Sequence, residues 1–269
     1  MKKVLTALLL VTLLFTLCAC SIPSDSFMSK SQVNSLVKKY GTPQAEVTLS
    51  YKTATGTAAQ QVEVKVIYDL LLEQAPLAVT RFIQIANDGE YDGTVADINN
   101  ADHNYIVLGR YKQFDKNKWY DMRSGGSTFA GEFKQNGYKE PKGGYPDFKM
   151  FSLAMYHVSD GEHFNSSDGT LILSLSSTDT LNSANYAVFA HLSKISVKID
   201  EGEFKEYRNV PSFVHQNLSG FTVRSGARNV YDYHDDSKSA VSVNMLSTEI
   251  TLTVKILGDY DWTKLPTIG

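Results

Sequence analysis

Apolar and polar residues alternate along several stretches of the chain, which is the pattern of strands that bury one face only. The first run, Val47, Leu49 and Tyr51, is followed by a turn rich in Thr, Ala and Gly and then by a second run at 62–68. Two such runs separated by a turn predict a hairpin. Further strands are predicted at 105–108, 151–156, 170–175, 185–190 and 247–257.

Three other segments place apolar residues at helical spacing. The clearest is 76–89, because a proline suits the first turn of a helix and Gly89 suits its end. Shorter helices are predicted at 32–40 and around 210–218. The stretch 112–145 is dense in Lys, Asp, Gly and Asn and is expected to be a loop. Together the elements predict a mainly β protein with some α-helix.

The N-terminus has the features of a bacterial secretory signal. Basic residues at 2–3 precede an uncharged apolar run from Val4 to Leu17. The sequence Leu17-Cys18-Ala19-Cys20 then resembles a lipobox, the cleavage site of bacterial lipoproteins, in which the acylated residue would be Cys20. An uncleaved membrane anchor is the alternative that the length of the run leaves open.

This interpretation predicts where the protein acts and how the chain is divided. Residues 1–19 would be the signal peptide, and 20–44 a lipid-anchored tether with a short helix. Several acyl chains give stable anchoring, so a membrane-anchored position outside the cytoplasm, in the bacterial cell envelope, is expected. Because Cys18 is removed and Cys20 is acylated, the folded domain would hold no thiol for a disulfide, a metal or a nucleophile.

Composition narrows the classes of function. Of 269 residues, 42% are hydrophobic and 20% are charged, as in globular proteins. The 26 basic and 29 acidic residues give a net charge of −3, which argues against nucleic-acid binding driven by overall charge. The 6 histidines show no HxH, HxxH or HExxH spacing, so neither a metal nor another cofactor is expected.

Five short motifs, in order along the chain, resemble those of the cyclophilin family. The first is the helix at 75–89, similar to A-P-x-T-V-x-N-F, and the second is Tyr91-Asp92-Gly93-Thr94. The others are the glycine-rich loop ending in Gly-Glu-Phe at 126–133, and the strands Leu153-Ala154-Met155 and Tyr186-Ala187-Val188-Phe189-Ala190. The resemblance spans roughly 47–257, which is nearly all of the chain that follows the tether.

The resemblance implies a fold and a set of boundaries. Cyclophilins are closed antiparallel β-barrels capped by two helices, and alternating strands suit a barrel with a filled interior. The cyclophilin-like domain would extend over 45–258, with an insertion at 193–246 and a C-terminal tail at 259–269.

The resemblance also implies an activity, rotation about X–Pro peptide bonds, whose uncatalysed barrier is ~18–20 kcal/mol. Cyclophilins lower this barrier with an arginine that follows Phe-His, while a glutamine helps to orient the peptide. The alignment gives Ile98 at the arginine position and Leu108 at the glutamine position. An isoleucine donates no hydrogen bond, and loss of one such donor costs on the order of 10²–10³ in rate. Substantial isomerase activity is therefore not expected.

Most positions of the implied substrate groove keep apolar residues. The residues aligned with the groove are Tyr105, Ile106, Leu108, Met155, Thr170, Ile172, Leu181 and Tyr186. Arg110 and Arg123 are the nearby basic residues that could replace the missing arginine. A solvated surface arginine is the commoner role and is the favoured interpretation for both.

Two functions stay open at this point. One is a peptidyl-prolyl isomerase acting on secreted proteins outside the cytoplasm, which requires Arg110 or Arg123 to reach the groove. The other is a non-catalytic module that binds peptides on a degenerate cyclophilin fold, which requires no basic donor near Tyr105 and Ile172. Both imply proline-containing segments of secreted or surface proteins as partners, and the membrane through the lipid anchor. A surface scaffold built on the insertion at 193–246 is a weaker third possibility.

Overall fold

The computed structural model describes residues 27–53, 59–96, 98–100, 104–115, 118–124, 128–157, 167–176, 185–221, 228–246 and 248–258. The predictions for the signal peptide at 1–19, the acylated Cys20, the groove residue Leu181 and the tail at 259–269 lie outside the described residues. Within these described ranges, none of the helices is both long enough and apolar enough to cross a membrane.

One sheet contains fourteen strands among the described residues. Their bounds are β1 Gln44–Lys52, β2 Gln61–Leu70, β3 Thr94–Val95, β4 Ile98–Asn100, β5 Tyr105–Leu108, β6 Tyr111–Asp115, β7 Lys118–Asp121, β8 Leu153–His157, β9 Ser167–Ser174, β10 Val188–Ile199, β11 Lys205–Tyr207, β12 Arg228–Asp232, β13 Val241–Val243 and β14 Thr251–Leu257. β1 and β2 bury every second residue, and their register pairs Val47 with Val66 and Leu49 with Val64. The predicted hairpin is therefore confirmed.

The strands follow one path through the sheet, in the order β13-β12-β7-β6-β3-β14-β1-β2-β10-β8-β9-β5-β4, with β11 beside β10. Neighbouring strands are antiparallel, except β7 and β12, which are parallel. Within the described residues no pairing joins β13 to β4, the two ends of this path, so closure into a barrel stays a prediction. The mainly β class with helices is confirmed.

The helices of the described ranges lie close to the predicted positions. They are α1 Lys30–Tyr40, α2 Pro76–Asn87 and α3 Ser212–Gly220, and a 3-10 turn lies between α2 and α3 at Lys134–Asn136. α1 begins at a capping box, in which the Ser29 hydroxyl accepts from the Gln32 amide and the Gln32 side chain accepts from the Ser29 amide. α2 packs on β9, β10 and β14 and buries its apolar face in the main core.

The first amide groups of α2 are satisfied by a side chain from a distant loop. The Glu132 carboxylate accepts hydrogen bonds from the amides of Leu77 at 2.9 Å and Ala78 at 3.0 Å. A carboxylate at this end also complements the helix dipole. Burial nevertheless raises the pKa of Glu132 to about 8. The Gly-Glu-Phe motif therefore ties its loop to the start of α2.

Buried apolar side chains form three clusters. The main core takes side chains from β1, β2, α2, β14 and one face of β5, β8 and β9. The outer cluster consists of Tyr105, Val107, Phe148, Ala154, Ile172 and Val188. The side cluster consists of Val95, Tyr111, Trp119, Val230 and Met245.

Two stretches differ from the predictions. The expected loop at 112–145 contains most of β6 and all of β7, because Trp119 pairs with the distant Val230 and both are buried in the side cluster. The expected insertion at 193–246 begins inside β10, whose residues pair with β2 as far as Ile199. The first part of that stretch therefore belongs to the central sheet.

Candidate functional site

A row of register partners crosses the strands that were expected to carry the groove. Val107 on β5 is opposite Ile172 on β9, which is opposite Ala154 on β8, which is opposite Val188 on β10. Directly opposed residues project from the same face of a sheet, and all four are members of the outer cluster. Ile98, the residue aligned with the arginine of cyclophilins, is the register partner of Val107, so it lies at the end of this row.

Aromatic side chains surround the row. Tyr105 is 8% exposed and Phe148 is 4% exposed, and the half-buried rings of Tyr156 and Tyr186 pack against them. The rings of Phe148 and Tyr186 meet nearly edge to face, with centroids 6.1 Å apart. The outer cluster therefore consists of buried aliphatic side chains surrounded by aromatic rings, and its accessible part lies at Tyr156 and Tyr186.

Four of the predicted groove residues come together on this face. Tyr105 and Ile172 are members of the outer cluster, and Tyr186 packs against it. Thr170 is fully buried and precedes Ile172 by two residues on β9, so it shares that strand face. Among the described residues the Thr170 hydroxyl has no hydrogen-bond partner, although its amide donates to the Asp168 carboxylate at 2.9 Å. It is an unsatisfied polar atom beside the apolar row.

The other three described groove residues lie on the opposite face. Ile106, Leu108 and Met155 are all buried in the main core. Side chains alternate along a strand, so the face that carries Tyr105 also carries Val107, not its neighbours at 106 and 108. Ile106, Leu108 and Met155 consequently do not line the face of the outer cluster.

Sequence reasoning missed several residues that build this face. They are Val107, Phe148, Ala154, Tyr156 and Val188. For Val107 and Val188, the signal was the two-residue period counted from Tyr105 and from Tyr186. Phe148 precedes β8 in an irregular segment, and no periodicity marks it.

Arg110 is engaged by a carboxylate on β7. Its Nε and Nη2 atoms donate to the Asp121 carboxylate at 3.1 and 2.9 Å, and its guanidinium lies over the Tyr111 ring. It lines a cleft of about 230 Å³, together with Asp232 and Lys238. No described contact joins Arg110 to the outer cluster.

Arg123 is buried, with 4% exposure, so the expectation of a solvated surface arginine is wrong for this residue. Its Nη1 pairs with the Glu90 carboxylate, its Nε donates to the Gly109 carbonyl at 3.1 Å, and its guanidinium lies over the Tyr91 ring. Gly109 has a φ of +82°, and a Cβ there would come within 2.8 Å of Tyr91. The guanidinium therefore stabilises the turn after β5.

His157 borders the aromatic wall of the outer cluster. Its Nε2 donates to the Asn185 carbonyl at 2.7 Å, and its ring lies 4.9 Å from Tyr186 and stacks on Phe133 at 5.2 Å. Burial lowers the pKa of His157, which favours the neutral imidazole. Across the described part of the chain, no group of three or more His, Cys, Asp or Glu side chains is arranged to hold a metal ion.

Comparisons with known proteins point to one family. The family model described as "Cyclophilin type peptidyl-prolyl cis-trans isomerase/CLD" matches residues 56–203, more than half of the chain. No curated protein matches. A solved cyclophilin type peptidyl-prolyl cis-trans isomerase of Cryptosporidium parvum, in the presence of the dipeptide Ala-Pro, is 16% identical with a TM-score of 0.35, covering 79% of this chain and 99% of that one. A cyclophilin from Hirschia baltica is 11% identical with a TM-score of 0.31, covering 84% of this chain and 99% of that one.

Proposed function

Because the chain belongs to the cyclophilin-type peptidyl-prolyl cis-trans isomerase family, we propose that it binds proline-containing polypeptide segments at the outer cluster and isomerises them slowly at most. The observation that carries this proposal is the placement of the two candidate arginines. Arg110 is paired with Asp121, and Arg123 is buried with Glu90. Neither guanidinium has a described contact with the outer cluster.

Binding is supported by the chemistry of the face. A proline ring is apolar and gains free energy when it leaves water for the apolar surface that the cluster exposes at Tyr156 and Tyr186. The walls at Tyr105 and Tyr186 add flat aromatic surface, which is enriched in binding sites. The Thr170 hydroxyl would supply a hydrogen bond to a peptide backbone, because it makes none to any residue that the structure describes.

Slow catalysis follows from what the rotation requires. Resonance in the X–Pro bond sets a barrier of ~18–20 kcal/mol, and a donor aimed at the developing lone pair lowers it. Ile98 has no donor at the aligned position. Arg110 would have to leave Asp121, and Arg123 would have to leave a buried ion pair, before either reached a peptide. We therefore expect a rate on the order of 10²–10³ below that of a member with the arginine.

The test is a prolyl isomerisation assay with the mature chain, using short Xaa–Pro peptides and the refolding of a proline-limited protein. The variant Ile98→Arg restores the missing donor, and Ile98→Leu is the matched apolar control. We expect the wild type and Ile98→Leu to bind these peptides with little acceleration, and Ile98→Arg to gain about 10²-fold. Strong acceleration by the wild type would overturn the loss of catalysis, and absence of peptide binding would overturn the proposal itself.

The isomerase remains the second candidate function, and family membership is the observation that favours it. If the wild type accelerates isomerisation, Arg110→Met and Arg123→Met would identify the replacement donor. A donor role predicts that one of these variants abolishes the acceleration while peptide affinity is retained.

The location is part of the proposal. We propose that Cys20 carries the lipid anchor and that the domain acts on secreted or surface proteins outside the cytoplasm, supported by the lipobox-like sequence at 17–20. Mass spectrometry of the membrane fraction would detect an acylated N-terminus at Cys20, and Cys20→Ser is the control that should lose it. An unmodified, soluble wild-type chain would contradict this location. Family membership likewise supports closure of the strand path into a barrel, which an experimental structure would test.

A further inference from the structure

Four aromatic side chains form an exposed surface on β6, β7 and β12. The aromatic platform consists of Phe114, Tyr120, Tyr231 and Tyr233. Tyr120 is at its centre, with ring centroids 5.4 Å from Phe114, 6.0 Å from Tyr231 and 6.3 Å from Tyr233. Phe114 and Tyr233 stack nearly parallel, yet they stay 51% and 43% exposed. Large aromatic rings gathered in water are the kind of patch that marks an interaction site.

The platform is not the surface that holds these strands in place. The opposite face of the same strands carries the side cluster, where Tyr111, Trp119 and Val230 are buried. Tyr120 and Tyr231 alternate with these residues and are register partners across β7 and β12. The sheet therefore has a buried face that stabilises it and an aromatic face that is left in contact with water.

Charged groups around the platform select the chemistry of a partner. The Lys112 ammonium lies 5.2 Å from the Phe114 ring centre, and the Lys118 ammonium lies 5.6 Å from that of Tyr231. Both cations complement acidic groups on a ligand that covers the rings. The turn after Tyr233 carries Asp235 and Asp236, which oppose an extended anionic surface such as a bilayer of acidic lipids.

We propose that the aromatic platform docks an extended, proline-rich polypeptide segment with acidic residues beside its prolines. Such segments adopt the polyproline II conformation, whose backbone groups have no internal hydrogen bonds, and they bind to aromatic surfaces. Tyr120, Tyr231 and Tyr233 offer hydroxyl groups for those carbonyls. The inference rests on the proposed function, because it gives a proline-containing client a second contact on the strand that follows β5 after Gly109 and Arg110.

Binding of an acidic proline-rich peptide, a Pro-Pro-Glu repeat, to the mature chain tests the proposal by calorimetry. The double variant Phe114→Ala/Tyr233→Ala removes the exposed rings. The control is Phe204→Ala, because Phe204 is also exposed, at 39%, with the Lys65 ammonium 4.7 Å from its ring centre. We expect the double variant to lose at least 10-fold in affinity and the control to keep wild-type affinity. Thermal unfolding of each variant shows whether a loss of affinity reflects a loss of fold.

Further arms separate this proposal from competing ones. Equal affinity for a Pro-Pro-Lys repeat would overturn the charge argument, and equal binding by the wild type and the double variant would overturn the platform. Binding to vesicles of phosphatidylcholine and phosphatidylglycerol without binding to the peptide would make the platform a membrane surface instead.

A short single-proline peptide distinguishes failure here from failure of the proposed function. If that peptide binds in a manner sensitive to Tyr186→Ala while the Pro-Pro-Glu repeat does not bind, the platform proposal fails and the outer-cluster proposal stands. If only the repeat binds, and Phe114→Ala/Tyr233→Ala abolishes that binding, the platform proposal stands and the outer-cluster proposal fails.

Discussion

The outer cluster and the aromatic platform are two apolar surfaces of one sheet that differ in how they are covered. Ile172 and Ala154 of the outer cluster are fully buried beneath aromatic walls, whereas Phe114 and Tyr233 of the platform remain largely exposed. The outer cluster continues a row across antiparallel neighbours, while the platform spans a parallel pair, β7 and β12. Under the proposed function, the first surface would contribute to both stability and binding, and the second would contribute to binding with little effect on stability. Substitutions separate these two roles.

The largest expected effect is on stability at the outer cluster. We expect Ile172→Ala to lower the free energy of unfolding by about 2–5 kcal/mol, because it leaves a cavity in a packed face. Phe114→Ala on the platform should cost less than about 1 kcal/mol, since its ring is half exposed. Urea unfolding of both variants measures the difference. Equal losses would mean that the platform is part of the structural core.

The two candidate arginines differ in burial and should therefore differ in how much they stabilise the fold. We expect Arg123→Leu to cost about 3 kcal/mol, because it leaves Glu90 unpaired and the Gly109 carbonyl without its donor. Arg110→Leu should cost about 1–2 kcal/mol, since this ion pair is more accessible to water. Unfolding in urea again supplies the values, and peptide affinity at the outer cluster should be unchanged in both. A larger loss of unfolding free energy for Arg110→Leu than for Arg123→Leu would mean that Arg110 forms the more stabilising ion pair.

Glu132 and Asp232 change the stability of the fold in different ranges of pH. Glu132 has a pKa raised by burial to about 8, so its contribution to stability is full below pH 4.5 and is lost as the pH rises through about 8. We expect the free energy of unfolding to fall over this range, because the folded state keeps a proton that the unfolded state releases. The curve for Glu132→Gln should be flatter, and an equally steep curve would place the titrating group elsewhere.

For Asp232, on the buried face of β12, the sign is opposite. The hydrogen bonds of Asp232 with Lys238 and Ser124 lower its pKa to about 2, so its contribution is present above pH 3.8 and is lost as the pH falls through about 2. Hydrogen exchange measured separately for β12 and α2 would show the two ranges. Loss of protection in β12 near neutral pH would contradict this division.

The smallest expected effect is at Thr170. We expect Thr170→Val to change the free energy of unfolding by less than about 1 kcal/mol, or to raise it, because the hydroxyl is buried and has no partner in the described part of the chain. If that hydroxyl binds a peptide backbone, the same variant should lose about 5-fold in affinity for a short proline peptide, equivalent to one ordinary hydrogen bond. Unchanged affinity would leave the hydroxyl with no part in binding.

Local patterns in the sequence predicted the elements whose partners lie nearby along the chain. Alternation at Val47 and Leu49 and the start at Pro76 gave the hairpin and α2 near their observed bounds. The strands β6, β7 and β12 escaped prediction because the partner of Trp119 is Val230, and no nearby residue signals a pairing over that distance.

The sequence did not show that the predicted groove residues lie on two opposite faces of the sheet, and the reason is different. All four residues of β5, Tyr105 to Leu108, are buried, since one face meets the main core and the other the outer cluster. A strand that is apolar on both faces has no alternation from which its orientation can be read. The burial of Arg123 could not be predicted either, because its partner Glu90 precedes β5 in the sequence whereas Arg123 follows it.

The parallel pairing of β7 with β12 has a consequence for the order in which the two surfaces arise. Ser124 and Asp232, which hydrogen-bond at this junction, are 108 residues apart, and contacts so distant form late in folding. A chain that is synthesised from its N-terminus has every strand of the outer cluster available before β12 emerges. The outer cluster can therefore form before the platform, and under the two proposals the capacity to bind single prolines would arise before the capacity to bind longer segments.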